Sequence, residues 1–134
     1  MKTLAGTALA AAASIGRTQP VSPPAGEPSA PPVQNVLFSA ADPGHWEDWV
    51  SLHVPETTVE AGVLTVRTPH PQSDEHYIVS HQVILAGGTF LGRETFTPNQ
   101  PPVSQHKLPA GFAGGVTVVS TCNRHDTWVK TLVV

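Results

Sequence analysis

The chain has 134 residues, of which 40% are hydrophobic and 13% charged, and this length allows one modest domain with appended segments. Its formal net charge of −3 leaves no basic stripe for a phosphate backbone, so we expect no nucleic-acid partner. The one cysteine, Cys122, excludes an intramolecular disulfide and any metal site built from four cysteines of a single chain.

The first 17 residues have the pattern of a targeting segment. Lys2 is followed by an uncharged run of small and apolar residues from position 4 to position 15, which is typical of a secretory signal. The run is too short and too rich in alanine for a membrane span. We therefore expect export, to the bacterial periplasm; a disordered or weakly helical tail is the alternative.

Residues 18–34 are rich in proline, serine and alanine. Such a composition cannot bury enough apolar surface to offset the entropy lost on ordering. We interpret this stretch as a disordered linker, so that the folded domain comprises residues 35–134. Residues 1–34 should then be dispensable for folding.

The remainder of the chain shows short strands separated by glycine and proline turns. One turn of helix is predicted within residues 42–52. Alternating or β-branched runs predict strands at residues 62–68, 76–85, 88–96, 114–122 and 127–134. In the first of these, Leu64 and Val66 share one face. Short strands at this spacing predict an all-β antiparallel sandwich of about seven strands.

Three of the seven histidines are not expected to bind a metal. His76 and His81 are five residues apart on a predicted strand and would project to opposite faces, so His81 should be a packed or surface residue. His45 and His106 lie in predicted turns, where we expect solvated side chains.

Two other groups of residues have the spacing of metal ligands. His70 and His76 flank a short loop that Pro71 rigidifies, so both imidazoles can converge. Cys122 and His125 have the i, i+3 spacing of a chelating pair across a turn. A thiolate with several imidazoles suits iron, zinc or copper and is poorly suited to Mg²⁺ or Ca²⁺.

Three motifs in order resemble the superoxide reductase family, the iron domain of desulfoferrodoxin and neelaredoxin. They are "HVP" at residues 53–55, "HPQSDEHYI" at residues 70–78 and "CNRHDTW" at residues 122–128. The resemblance extends from His53 to Val134 and implies an immunoglobulin-like β-sandwich.

The resemblance also implies a metal site and a reaction. One iron per chain would be bound by four imidazoles and one axial thiolate, from His53, His70, His76, His125 and Cys122. Cys122 and His125 would carry the catalytic role. The implied reaction is one-electron reduction of superoxide to hydrogen peroxide, with an external one-electron donor protein. The sequence is compatible with a homo-oligomer.

Two departures from the family pattern concern turnover. The family commonly has Glu-Lys directly before the first histidine, and this chain has Ser51-Leu52 there. The glycine that follows the last histidine is Asp126 here, and the next residue is Thr127. Without that lysine, the remaining cations considered are Arg124 and Lys107, and only Arg124 is adjacent to the ligands in sequence.

Two alternatives belong to other functional classes. The same residues could form a non-catalytic iron- or zinc-binding module. The domain could also be an immunoglobulin-like adhesion or carrier module whose histidines are incidental, in which case chelation would not change its stability.

Overall fold

The computed structural model describes residues 35–134, and the predicted signal segment and linker lie outside the described residues. The described part contains eight β-strands in two sheets and little helix, which confirms the predicted all-β sandwich. It contains one strand more than the approximate number predicted. None of its helices is both long and apolar enough to cross a membrane.

The larger sheet has five strands in the order β1-β8-β7-β4-β5. Their bounds are β1 Leu37–Phe38, β4 Ile78–Leu85, β5 Thr89–Thr95, β7 Gly115–Cys122 and β8 Thr127–Val133. The smaller sheet has the order β2-β3-β6, with β2 Glu56–Glu60, β3 Val63–Arg67 and β6 Val103–Lys107. All neighbouring strands are antiparallel except β1 and β8, which run parallel.

Short helices precede β2 and β5. A 3₁₀ helix, Gly44–Trp49, continues into one turn of α-helix, α1, Val50–His53, close to the predicted helical turn. A second 3₁₀ helix, Ala86–Gly88, connects β4 to β5. Gly87 and Gly88 both have positive φ there, a backbone conformation that glycine adopts without steric cost.

The apolar core lies between the two sheets. Leu64 and Val66 of β3 are fully buried on the same face, as their alternation predicts. The inward residues of β4 and β7 meet them across the sandwich. The core cluster consists of Leu64, Val66, Val83, Leu85, Leu108, Val116 and Val118. Towards the end of β3 and the start of β4, a second and smaller cluster of Ile78, Phe96 and Cys122 lies beside buried polar residues.

That end of the sandwich is where several chain segments meet. β3 leads into the loop of residues 68–77, β4 begins at Ile78, and β7 ends at Cys122, opposite Ile78 in the sheet. α1 ends at His53. His76 lies in the loop rather than in the predicted strand, because its backbone pairs with Ser73 across a turn.

Candidate metal centre

The structure brings together the five side chains that the sequence marks as metal ligands. One potential ligand atom from each lies within 4.8 Å of the others. The five residues are His53, His70, His76, Cys122 and His125. They come from three separate segments: the end of α1, the loop between β3 and β4, and the end of β7 with the turn that follows it.

His53 is oriented by the helix that precedes it. Its Nδ1 lies 2.9 Å from the carbonyl oxygen of Trp49, and since a carbonyl only accepts, Nδ1–H donates. The lone pair therefore sits on Nε2, which is directed into the cluster. His53 is fully buried, and its ring stacks on Trp128 at a centroid distance of 5.6 Å.

His70 and His76 converge from one loop. Nδ1 of His70 lies 3.3 Å from Oε1 of Gln72, which also accepts a hydrogen bond from the Ile78 amide. Nε2 of His70 lies 3.1 Å from Nε2 of His76. Gln72 thus holds the His70 ring with its second nitrogen towards His76, as outer hydrogen bonds commonly orient metal-binding histidines.

The end of β7 carries the thiol, and the turn that follows carries the fourth imidazole. Sγ of Cys122 and Nδ1 of His125 are 4.0 Å apart, and Nδ1 of His125 is 3.1 Å from Nε2 of His53. The Arg124 amide donates to Sγ at 3.4 Å, and the Trp128 indole donates to the His125 carbonyl at 2.8 Å. Both hydrogen bonds fix the turn.

Asn123 joins this turn to the loop of residues 68–77. Its Oδ1 accepts from the Tyr77 amide at 3.0 Å, and its Nδ2 donates to the Glu75 carbonyl at 3.1 Å. The segment that carries Cys122 is thereby tied to the segment that carries His76. Sequence reasoning missed this role, because the contact joins residues nearly fifty positions apart.

The donor atoms fit a transition-metal ion. In two pairs of imidazoles, His70 with His76 and His53 with His125, ring nitrogens face each other at 3.1 Å. In each pair at least one of these nitrogens carries a lone pair, because the N–H of the same ring donates to Trp49 or to Gln72. Burial lowers the pKa of His53 and of His76 to about 4, so both rings are neutral at pH 7. Four imidazoles and one sulfur suit iron, zinc or copper.

Burial has the opposite effect on the pKa of the Cys122 thiol. Burial raises its pKa, and the backbone N–H groups of Arg124 and His125 partly oppose this rise by stabilising the thiolate. A cation bound beside the sulfur would deprotonate it, so metal binding should release the thiol proton.

The remaining histidines lie outside the cluster. His45 is exposed, 3.8 Å from Asp126, and His81 is fully buried on β4, where it contacts Thr68 and Ser104. The expectation for His106 is wrong: it lies on β6 and only 8% of it is exposed. Its neighbours alternate in and out of the interior, which places His106 on the same inward face as Ser104.

His81 organises a layer of buried polar side chains next to the cluster. Its Nε2 lies 2.8 Å from Thr68 Oγ1, and its Nδ1 lies 2.9 Å from Ser104 Oγ. Thr68 also contacts Ser120 at 2.8 Å, and Ser104 contacts His106 at 3.0 Å. Ser120 is two residues from Cys122 along β7, so the period of a strand places it one step further into the sandwich, where Thr68 contacts it.

We expect the His81→Gln variant to bind nearly as much metal as the wild type. The glutamine amide can replace part of the hydrogen bonding to Thr68 and Ser104, and position 81 supplies no atom to the cluster. Metal analysis of the two proteins after the same loading checks this. The His76→Gln variant is the matched control and should lose metal. Clear metal loss from His81→Gln would show that His81 acts as a ligand.

Comparisons with solved structures show that the fold of this chain is similar to that of superoxide reductases. A variant of the superoxide reductase (neelaredoxin) from Ignicoccus hospitalis matches with a TM-score of 0.65 at 22% identity, covering 74% of this chain and 93% of that one. The single-iron enzyme from Giardia intestinalis matches with a TM-score of 0.56 at 23% identity, covering 63% and 99%. A variant of the Archaeoglobus fulgidus neelaredoxin matches with 0.55 at 25%, covering 63% and 90%.

No protein-family model and no curated protein matches the chain. The solved structures therefore carry the comparison, and they show a shared fold. The resemblance predicted from three short motifs is confirmed in this sense: the structural neighbours are superoxide reductases, and the cluster of four histidines and one cysteine is consistent with that family.

Proposed function

We propose that the cluster binds one iron ion and reduces superoxide to hydrogen peroxide. The single observation that carries this proposal is the convergence of four imidazole nitrogens and one sulfur within 4.8 Å. The fold shared with superoxide reductases supports the choice of iron and of this reaction. Each turnover consumes one electron and two protons for each superoxide. We assign the electron to an external donor protein and the protons to solvent.

The chain prepares the site through charge and orientation. Neutral imidazoles of His53, His70, His76 and His125 would bind the ion, and Cys122 would bind it as a thiolate after losing its proton. When bound, iron supplies the one-electron couple that the reduction requires. The Arg124 amide, 3.4 Å from Sγ, would withdraw electron density from the sulfur and so adjust that couple.

Arg124 is the cation that we assign to attracting superoxide. It is exposed, and its charge adds to burial in lowering the pKa of His76 and of His125, so its field reaches the cluster. Lys107 is excluded from this role by the sheet register. It pairs with Val63 at one end of β3, whereas the cluster lies beyond Arg67 at the other end.

We expect Leu52→Lys to accelerate superoxide capture and to steepen its dependence on ionic strength. Position 52 is where the related family has lysine, it precedes the buried His53, and it is half-buried here. A positive charge near the site raises the local concentration of an anion, and salt screens this effect. Pulse radiolysis of the reduced protein across a salt series measures both quantities.

Arg124→Gln should slow superoxide capture and weaken its dependence on ionic strength. Lys107→Gln is the matched control at the far end of β6. If Leu52→Lys leaves the rate and its salt dependence unchanged, position 52 does not face the metal. If Arg124→Gln and Lys107→Gln behave alike, Arg124 does not attract the substrate.

Metal analysis combined with superoxide consumption tests the function as a whole. The reduced full-length chain should contain one iron per chain and consume superoxide, producing hydrogen peroxide. The oxidised protein should show a visible thiolate-to-iron absorption. Bound zinc without that absorption, or bound iron without superoxide consumption, would instead indicate the non-catalytic metal-binding module. Unchanged stability on chelation would indicate that the histidines are incidental.

A further inference from the structure

The 3₁₀ helix Gly44–Trp49 places two indole rings against the candidate metal centre. Trp49 stacks on His125 with a centroid distance of 4.3 Å and an interplanar angle of 25°. It also meets the rings of His53 and His76 edge-on, at 5.9 and 6.3 Å. Trp46 meets His125 edge-on at 4.7 Å. The two indoles therefore form an aromatic cover over the imidazoles.

This cover has one face on the cluster and one face towards solvent. Trp49 is 37% exposed although it contacts three of the four imidazoles, whereas Trp128 is fully buried beneath His53. The carbonyl of Trp49 also accepts the hydrogen bond from His53 Nδ1. Displacement of Trp49 would therefore uncover His125 and release the orientation of His53 together.

Asp126 connects the cover to the turn that carries His125. Its Oδ2 accepts a hydrogen bond of 2.9 Å from the Trp46 indole, across eighty positions of sequence. Its φ is +59°, in the left-handed region that aspartate adopts at some cost and glycine adopts freely. A glycine would relieve that strain but could not hold Trp46. The aspartate side chain therefore has a use that the backbone conformation does not explain.

We propose that Asp126 is a positioning residue that holds Trp46, and through the same helix Trp49, as a cover that restricts access to the metal centre. In this proposal a small molecule such as superoxide would pass the edge of the cover, whereas a bulky chelator would have to displace it. This inference rests on the cluster being the metal site proposed above. The cover restricts which molecules reach the metal centre by their size. This site lacks the lysine that the related family has directly before the first histidine.

The first test is the rate at which EDTA removes Zn²⁺ from the zinc-loaded full-length chain. Asp126→Gly should raise this rate by about fivefold, since a net hydrogen bond of this kind is worth roughly 1 kcal/mol. Trp46→Phe removes the indole donor but keeps a ring, and it should raise the rate similarly. Asp126→Gly also removes the 3.8 Å contact with His45, so the double variant should resemble Asp126→Gly, in which the contact with the Trp46 indole is already broken. Asp126→Asn keeps an acceptor oxygen and should restore the wild-type rate.

A second test uses the metal-free protein. Acrylamide quenching of tryptophan fluorescence reports on Trp46 and Trp49, because Trp128 is fully buried. Quenching should increase in Asp126→Gly and stay unchanged in Asp126→Asn. This measurement needs neither metal nor superoxide, so it tests whether Asp126 holds the cover even if the proposed function is wrong.

Three results would overturn the inference. Wild-type rates of zinc removal and wild-type quenching in Asp126→Gly would show that Asp126 does not hold the cover. Additive effects in the double variant would show that Trp46 and Asp126 act independently. Faster zinc removal in Asp126→Asn, equal to that in Asp126→Gly, would show that the acceptor oxygen is irrelevant. If Asp126→Gly does not fold, Trp46→Phe provides the same comparison.

Discussion

The Cys122→Ser variant is expected to lose most of its metal affinity, its thiolate-to-iron absorption and its superoxide consumption. Serine is nearly the same size as cysteine, so the buried turn should stay folded, but a hydroxyl is a poor replacement for a soft anionic donor. The loss of affinity should exceed about a hundredfold, since residues that only orient metal ligands are already worth roughly 10- to 100-fold.

Competition against a chromophoric chelator measures the affinity, and the visible spectrum of the oxidised protein reports the thiolate. Thr121→Ser is the matched control, because it changes the neighbouring residue of β7 and keeps the hydroxyl that contacts Thr127. Far-UV circular dichroism verifies that both variants are folded. An oxidised spectrum in Cys122→Ser identical to that of the wild type would exclude Cys122 as a ligand.

Regular alternation of apolar residues made most of the fold predictable. The strand that contains Leu64 and Val66 was predicted because apolar and polar residues alternate there as they do on a half-buried strand. β6 was missed for the opposite reason: its inward residues are Ser104 and His106, so its pattern resembles a surface loop. The short β1 and the mostly exposed edge strand β2 carry too little apolar signal of their own.

The candidate site was predictable to the extent that its residues lie in short motifs. The spacings of His70 with His76 and of Cys122 with His125 are local properties of the chain, and the structure places both pairs in one cluster. The hydrogen bonds that hold the ligand-bearing segments in place are long-range and could not be predicted. Asn123 acts on the loop before β4, and Asp126 acts on Trp46, through contacts that depend on the finished fold.

The predictions for the first 34 residues stay predictions. The structure describes residues 35–134, so neither the signal segment, nor the linker, nor export to the periplasm has been tested. The proposed chemistry does not depend on them, because all five candidate ligands lie between His53 and His125.

The buried histidines should make the metal-free domain sensitive to acid. Burial lowers the pKa of His53, His76 and His81 from 6.5 to about 4 in the folded state. The unfolded chain therefore binds more protons than the folded chain between these two pH values, and the free energy of unfolding falls as the pH falls. Well above pH 6.5 these residues add nothing to the pH dependence of stability, because their imidazoles are neutral in both states.

We expect the free energy of unfolding of the metal-free chain to decrease between pH 6.5 and pH 4. The decrease should reach roughly 3 kcal/mol for each of His53 and His81, which are fully buried, out of a total stability of about 5–15 kcal/mol. Urea unfolding at a series of pH values measures it.

His81→Leu should be less stable at pH 7, because it breaks the buried hydrogen bonds of Thr68 and Ser104, but its stability should vary less with pH. The exposed His45→Gln is the control and should match the wild type. If His81→Leu and the wild type lose stability in parallel, His81 is not one of the groups whose protonation unfolds the domain.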